Sequence, residues 1–174
     1  KKMSGILILE LFVIAFTAGL WFYMKKKGYK NVTRKFIILF VGVHLFEIMS
    51  EPMWLNTGFD EWTYIYRDIT WVLTLGWVSI FMISIMLVNY VFQHFPEKKK
   101  FWLYLLFIEA IVVPLESGLL ITGVRGYAEV LTSTFSGTLI PFTPVPLEAI
   151  WALPLFTSLI LTFYKYVNYL FERS

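Results

Sequence analysis

Residues 36–51 read FIILFVGVHLFEIMSE. An apolar run leads without a break into His44, Glu47 and Glu51 and carries on to about residue 54. A membrane-spanning helix needs roughly 20 mostly apolar residues, and this stretch supplies them. A charge near a bilayer centre costs at least ~2.5–3.5 kcal/mol even on insertion scales. Three ionisable groups in one such helix therefore call for a reason. Their spacing, i, i+3 and i+7, puts them on one helical face.

The rest of the chain has the same character. Of its 174 residues 58% are hydrophobic, 20% aromatic and only 16% charged, and its mean hydropathy is +0.68. A soluble domain of this size has no interior large enough for that much apolar surface. The expected class is an all-α, polytopic membrane protein in a single domain, 1–174. Five stretches qualify as transmembrane helices, at about 5–24, 36–54, 69–92, 101–123 and 147–170. The opening KKMSGILILELFVIAF has the look of a leader, but its apolar run continues to about residue 24 without a small-x-small cleavage signal, so it reads as the first helix. With no cysteine, thiolate chemistry and disulfides are excluded. A net charge of +3, with basic residues gathered at segment ends, does not describe a nucleic-acid partner. No phosphate loop, nucleotide fingerprint or Ser/His/Asp order occurs.

Lys and Arg set the expected orientation. Of the 15 basic residues, 11 fall in the 25–35 link, the 98–100 link and the C-terminal end, and 4 fall at the N-terminus and in the two long loops. This predicts an N-terminus outside, a C-terminus in the cytoplasm and both long loops outside.

The chain also repeats. KFIILFVGVHLFEIMSEPMWLNTG (35–58) aligns without a gap on KFWLYLLFIEAIVVPLESGLLITG (100–123), placing His44 on Glu109, Glu51 on Glu116 and Thr57-Gly58 on Thr122-Gly123. Past the loops, DITW (68–71) matches EAIW (148–151), and VNYVF later matches VNYLF. The expectation is a parallel duplication of a helix–loop–helix unit about an axis along the membrane normal, with 36–97 as the first copy, 98–174 as the second and 1–35 as an additional helix and basic link.

The acids then converge. His44, Glu47 and Glu109 lie deep, while Glu51, Glu116, Asp68 and Glu148 lie toward the outer boundary. Simpler roles exist for several of them. Asp68 and Glu148 open helices, where a carboxylate caps free amides. His44 can serve as a neutral helix-to-helix hydrogen-bonding group. Glu10 can pair with a basic group or a partner chain. Taken together, buried carboxyls that share protons form a general acid and base pair. In an apolar cavity the natural substrate is an alkene, protonated at one carbon and deprotonated at another. Trp54, Trp71, Trp151 and Tyr127 offer faces that would bind such a substrate and stabilise a cation, although single aromatics at this depth commonly form an interfacial belt. The one His-x-x-Glu runs opposite to the order used in di-iron bundles, so no metal and no cofactor are expected.

Two families share parts of this pattern. PFTPVPLEAIWALPLFTSLILTFYKY resembles the segment of integral-membrane lycopene cyclases in which a Pro-x-Glu-Glu motif opens a helix, although the second acid is Ala149 here. That likeness implies roles for Pro146, Glu148, Glu116 and Glu51. HLFE deep in one helix, followed by EAIWALP, is similar to the emopamil-binding, sterol-isomerase family, which implies roles for His44, Glu47, Glu109 and Trp151. Both imply acid–base chemistry without redox on an isoprenoid. The expected function is thus an isomerase or cyclase acting on a carotenoid- or sterol-like membrane lipid, with Glu47 and Glu109 as acid and base. The alternatives are a non-catalytic small subunit, contacting partner membrane subunits through a surface-exposed Glu10 and a lipid-bare aromatic face, and a proton- or cation-coupled carrier; partner membrane subunits or a homo-oligomer are the protein partners expected.

Overall fold

The computed structural model describes residues 5–173. Lys1 and Lys2, counted above on the outer side, fall outside that range. The fold is mostly helical, and five of its helices are long and apolar enough to cross a membrane: α1 (Gly5–Lys26), α2 (Val32–Ser50), α3 (Trp71–Val91), α4 (Glu97–Ile121) and α6 (Ala149–Arg173). α5 (Glu129–Thr132) is a single turn in the second long loop.

Four of the long helices close a ring, α2 against α3, α3 against α4, α4 against α6 and α6 against α2, while α1 lies outside it on α3 and, less extensively, α2. The core inside the ring includes Leu39, Val43, Val78, Phe81, Ile108 and Leu161. The buried residues of α1 are Glu10, Thr17 and Met24, which recur every seventh position. That period makes one narrow seam on a helix otherwise apolar all round, and Thr17 and Ser79 share a 2.8 Å hydrogen bond across it.

The ends of α1 and α4 follow from glycine. Gly28 and Gly123 adopt φ of 76° and 72°. At α4 the Val124 amide donates to the Leu119 carbonyl and that of Gly123 to the Leu120 carbonyl, both at 3.1 Å, the paired bonds of a Schellman stop. α3 starts at Trp71, two residues later than expected, because Thr70 caps it: its Oγ1 accepts from the Leu73 amide at 3.2 Å. Asp68 is not the cap.

The two long loops lie at the same end and are joined. β1 (Trp54–Leu55) pairs antiparallel with β4 (Gly126–Tyr127), setting Trp54 opposite Tyr127. Within the first loop β2 (Tyr64–Tyr66) pairs with β3 (Ile69–Thr70). Gly58 is fixed by crowding, since a Cβ there would stand 2.5 Å from the Cα of Val124. At the opposite, basic end Arg34 bonds Asn168 and Lys165 bonds Glu97, tying α2 and α4 to α6.

Candidate functional site

The deep acids are held by threonines on the neighbouring helix of the ring. Thr74 Oγ1, on α3, donates to Glu47 Oε2 on α2 at 2.5 Å. Thr157 Oγ1, on α6, donates to Glu109 Oε1 on α4 at 2.9 Å. Each hydroxyl also lies within reach of a carbonyl one turn back in its own helix, Thr70 O at 3.2 Å and Leu153 O at 2.9 Å. A threonine has one proton and two lone pairs. It can give the proton to a carboxylate, or give it to the carbonyl and accept one from a carboxylic acid. Both glutamates thus have a partner in either protonation state. Their second oxygens, Glu47 Oε1 and Glu109 Oε2, are buried with no hydrogen-bonding partner among the described residues. Leaving such an atom unmet costs about 1–3 kcal/mol. His44 stands beside Glu47, its Nδ1 3.9 Å from Oε2 and likewise without a hydrogen bond, and its ring stacks on Phe40 at 6.0 Å.

Glu47 and Thr157 line one cavity, together with Glu51, Trp54, Asp68 and Arg125. Glu47 borders it directly, and Glu109 reaches it through Thr157. Its free volume is about 40 Å³, room for about one or two water molecules.

The mouth of the cavity is organised by Arg125. The Schellman stop of α4 turns the chain so that Arg125 comes back over the helix it has just left. Its Nε donates to Glu116 Oε1 at 2.9 Å, with both side chains 5% exposed. Its Nη1 donates to Asn56 Oδ1 at 2.9 Å, and Asn56 Nδ2 donates to the Asp68 carbonyl at 2.7 Å. The guanidinium sits 4.2 Å from the ring centre of Trp54, a cation–π contact strengthened by desolvation. Trp54 packs in turn on Tyr127, with centroids 5.4 Å apart. Burial, and then the Glu116 carboxylate, push the Tyr127 hydroxyl above the ordinary phenol range.

The remaining acids are dispersed. Glu51 borders the cavity and pairs with Arg67 at 3.4 Å on its exposed side. Glu148 turns away to accept the Ser136 amide at 2.6 Å, securing the second loop. That bond lowers its carboxyl pKa. Trp71 donates to the Trp62 carbonyl and packs edge-on against that ring. Trp151 is 77% exposed and does not line the cavity. Glu10, expected at the surface in the subunit reading, is fully buried: it accepts the Asp60 amide at 2.7 Å and Trp62 Nε1 at 3.0 Å. It fastens the first loop to α1, and this corrects its exposed placement.

Arg125, Asn56, Thr74 and Thr157 did not stand out in the sequence. One signal was present. Arg67 and Arg125 are the lone cations of the two long loops, and each pairs with the glutamate at the end of the helix before it. Among the described residues no group of three or more His, Asp or Glu is arranged to hold a metal ion. No protein-family model, curated protein or solved structure matches the chain.

Proposed function

We propose that this chain is a membrane-embedded acid–base isomerase or cyclase acting on an apolar isoprenoid, with Glu47 and Glu109 exchanging the protons. The observation that carries this reading is the pair of contacts Glu47–Thr74 and Glu109–Thr157, with Glu47 and Thr157 lining one cavity, each carboxyl supported as acid or base and each with an oxygen that has no partner among the described residues. One carboxylic acid adds a proton to an alkene carbon, leaving a carbocation on its neighbour. The other carboxylate removes a proton from an adjacent carbon, so the double bond moves or a ring closes with no net oxidation. Trp54 lines this space, but its π face already holds the Arg125 guanidinium, so it shapes the cavity and is given no cation-stabilising part. His44 modulates Glu47. Arg125 and its partners hold the mouth rather than exchange protons. Glu148, bound to the Ser136 amide and off the cavity lining, takes no part in the proton transfer. The likeness to lycopene cyclases that runs through Pro146 and Glu148 is therefore the weaker of the two, and the deep His44, Glu47 and Glu109 carry the reading.

The same proposal includes the duplication and the orientation. Exchanging α2 with α4 and α3 with α6 maps the ring of helix contacts onto itself. Each copy then supplies a glutamate–arginine pair at matched glutamates, Glu51 and Glu116, while the threonine-held Glu47 and Glu109 lie one turn apart in the alignment. The basic end would face the cytoplasm, with the joined loops outside. The subunit reading loses Glu10 as a contact, because that residue is internal.

The deciding experiment is turnover of a panel of acyclic and cyclic isoprenoids by purified protein in lipid nanodiscs, followed by mass-resolved chromatography. Glu47→Gln and Glu109→Gln should each lower turnover by about 10²-fold or more. Full turnover in both variants would sink the proposal.

A further inference from the structure

A second cavity lies on the other side of α3. α3 forms its floor through Val72, Gly76 and Ile80, with Leu9 and Val13 of α1 along one wall and Leu115 and Leu119 of α4 along the other. Phe59, from the first loop, borders it at the loop end. Its volume is about 290 Å³ and its lining is almost wholly apolar. Leu73 and Trp77 border both this groove and the acid cavity.

We infer that this groove seats one extended hydrocarbon chain of a membrane lipid, and that Trp77 and Leu73 form the partition through which the chain reaches Glu47. For what lies beyond the partition, the inference rests on the acid–base reading above; the seating of the chain stands without it. Size selects the ligand. A cavity of about 150 Å³ holds one benzene ring, so this one takes roughly a dozen carbons, a segment of a linear prenyl or acyl chain and not a fused-ring sterol. Its space is left by glycine: a Cβ on Gly118 would meet nothing within 4 Å, and one on Gly76 only Val13 Cγ1 at 3.8 Å. Hydrophobicity alone gives no preference here, because lipid tails are as apolar as the lining. The preference comes from filling a void whose walls otherwise lack partners, and from a polar rim. Glu116, which borders the groove, is paired with Arg125, which borders the acid cavity, and Thr122 also lies on the groove. A hydroxyl or other polar end of the ligand would find hydrogen-bonding groups there.

The test uses farnesol carrying a photoreactive diazirine, a linear C15 prenyl alcohol, on the full chain in nanodiscs, with crosslinks mapped by peptide mass spectrometry. Wild type should label peptides covering 72–80 and 112–122, with unlabelled farnesol competing and cholesterol not. Gly118→Phe should reduce that labelling at least tenfold, and Gly76→Leu, which fills the groove from its floor, should do the same if Gly118→Phe does not fold. Trp77→Ala should extend labelling to peptides 43–50 and 153–160. Equal labelling of wild type and both groove-filling variants, or competition by cholesterol as strong as by farnesol, would overturn the seating. A labelling map unchanged by Trp77→Ala would overturn the partition. The Glu47→Gln/Glu109→Gln double variant should label as wild type does. Turnover retained in that variant would remove the acid–base reading and leave the groove assignment standing.

Discussion

Thr157 Oγ1 stands 2.9 Å from Glu109 Oε1 while it borders the cavity into which Glu47 opens. One hydroxyl thus couples a carboxyl on α4 to a space lined by α2, α3, α6 and the two long loops, and Thr74 holds Glu47 itself from α3. The glutamates are kept by groups that donate to a carboxylate and accept from an acid. Cations would have fixed them in the charged state.

Thr157→Val keeps the side-chain shape and removes the hydroxyl. It should lower isoprenoid turnover by about tenfold and displace the pH profile, because Glu109 loses the hydroxyl that meets it in either state. Thr157→Ser should restore both. A pH–rate series on the three proteins reads this out. A uniform fall in rate with an unmoved profile would mean that Thr157 only packs.

The Arg125–Glu116 pair is buried, so removing one partner leaves an unmet charge. Arg125→Leu and Glu116→Leu should each destabilise the protein by about 3–5 kcal/mol. The double variant should be closer to wild type than either single one, since replacing a whole buried pair is often neutral. Chemical denaturation in detergent, arranged as a double-mutant cycle, measures the coupling.

Glu10→Ala strips the acceptor from the Asp60 amide and from Trp62 Nε1. It should cost about 1–3 kcal/mol and raise hydrogen exchange across residues 54–70, while exchange across 126–148 changes less. The same exchange in both loops would contradict a local anchor.

Glu148 reports on pH. Its folded carboxyl is lowered by the Ser136 amide from an ordinary value of 4.5. A lowered folded value means that the stabilisation is complete above the ordinary range and is lost as pH falls through the folded value. Limited acid proteolysis of the second loop between 133 and 148 should therefore stay constant from neutral pH to about pH 5 and rise below about pH 4. Glu148→Gln should raise cleavage near neutral pH, converge with wild type at low pH and so flatten the dependence.

The five long helices, their breaks and the single face shared by His44, Glu47 and Glu51 were legible in the sequence, because hydropathy and periodicity depend only on order along the chain. So was the presence of buried carboxyls. Their sorting was not. Nothing in the spacing separates Glu47, open to the cavity, from Glu10 and Glu148, which each fasten a loop. All three are acids in or beside apolar runs, and what distinguishes them is which backbone amide or hydroxyl arrives from a distant segment. Arg125 is the clearest case. In sequence it is a lone cation in a glycine-rich link. It becomes the centre of the cavity mouth only because Gly123 stops α4, the β1–β4 ladder brings Trp54 and Asn56 alongside, and desolvation makes its pairing with Glu116 strong. Local order fixed the elements, and long-range meeting of polar groups out of water decided which of them form a site.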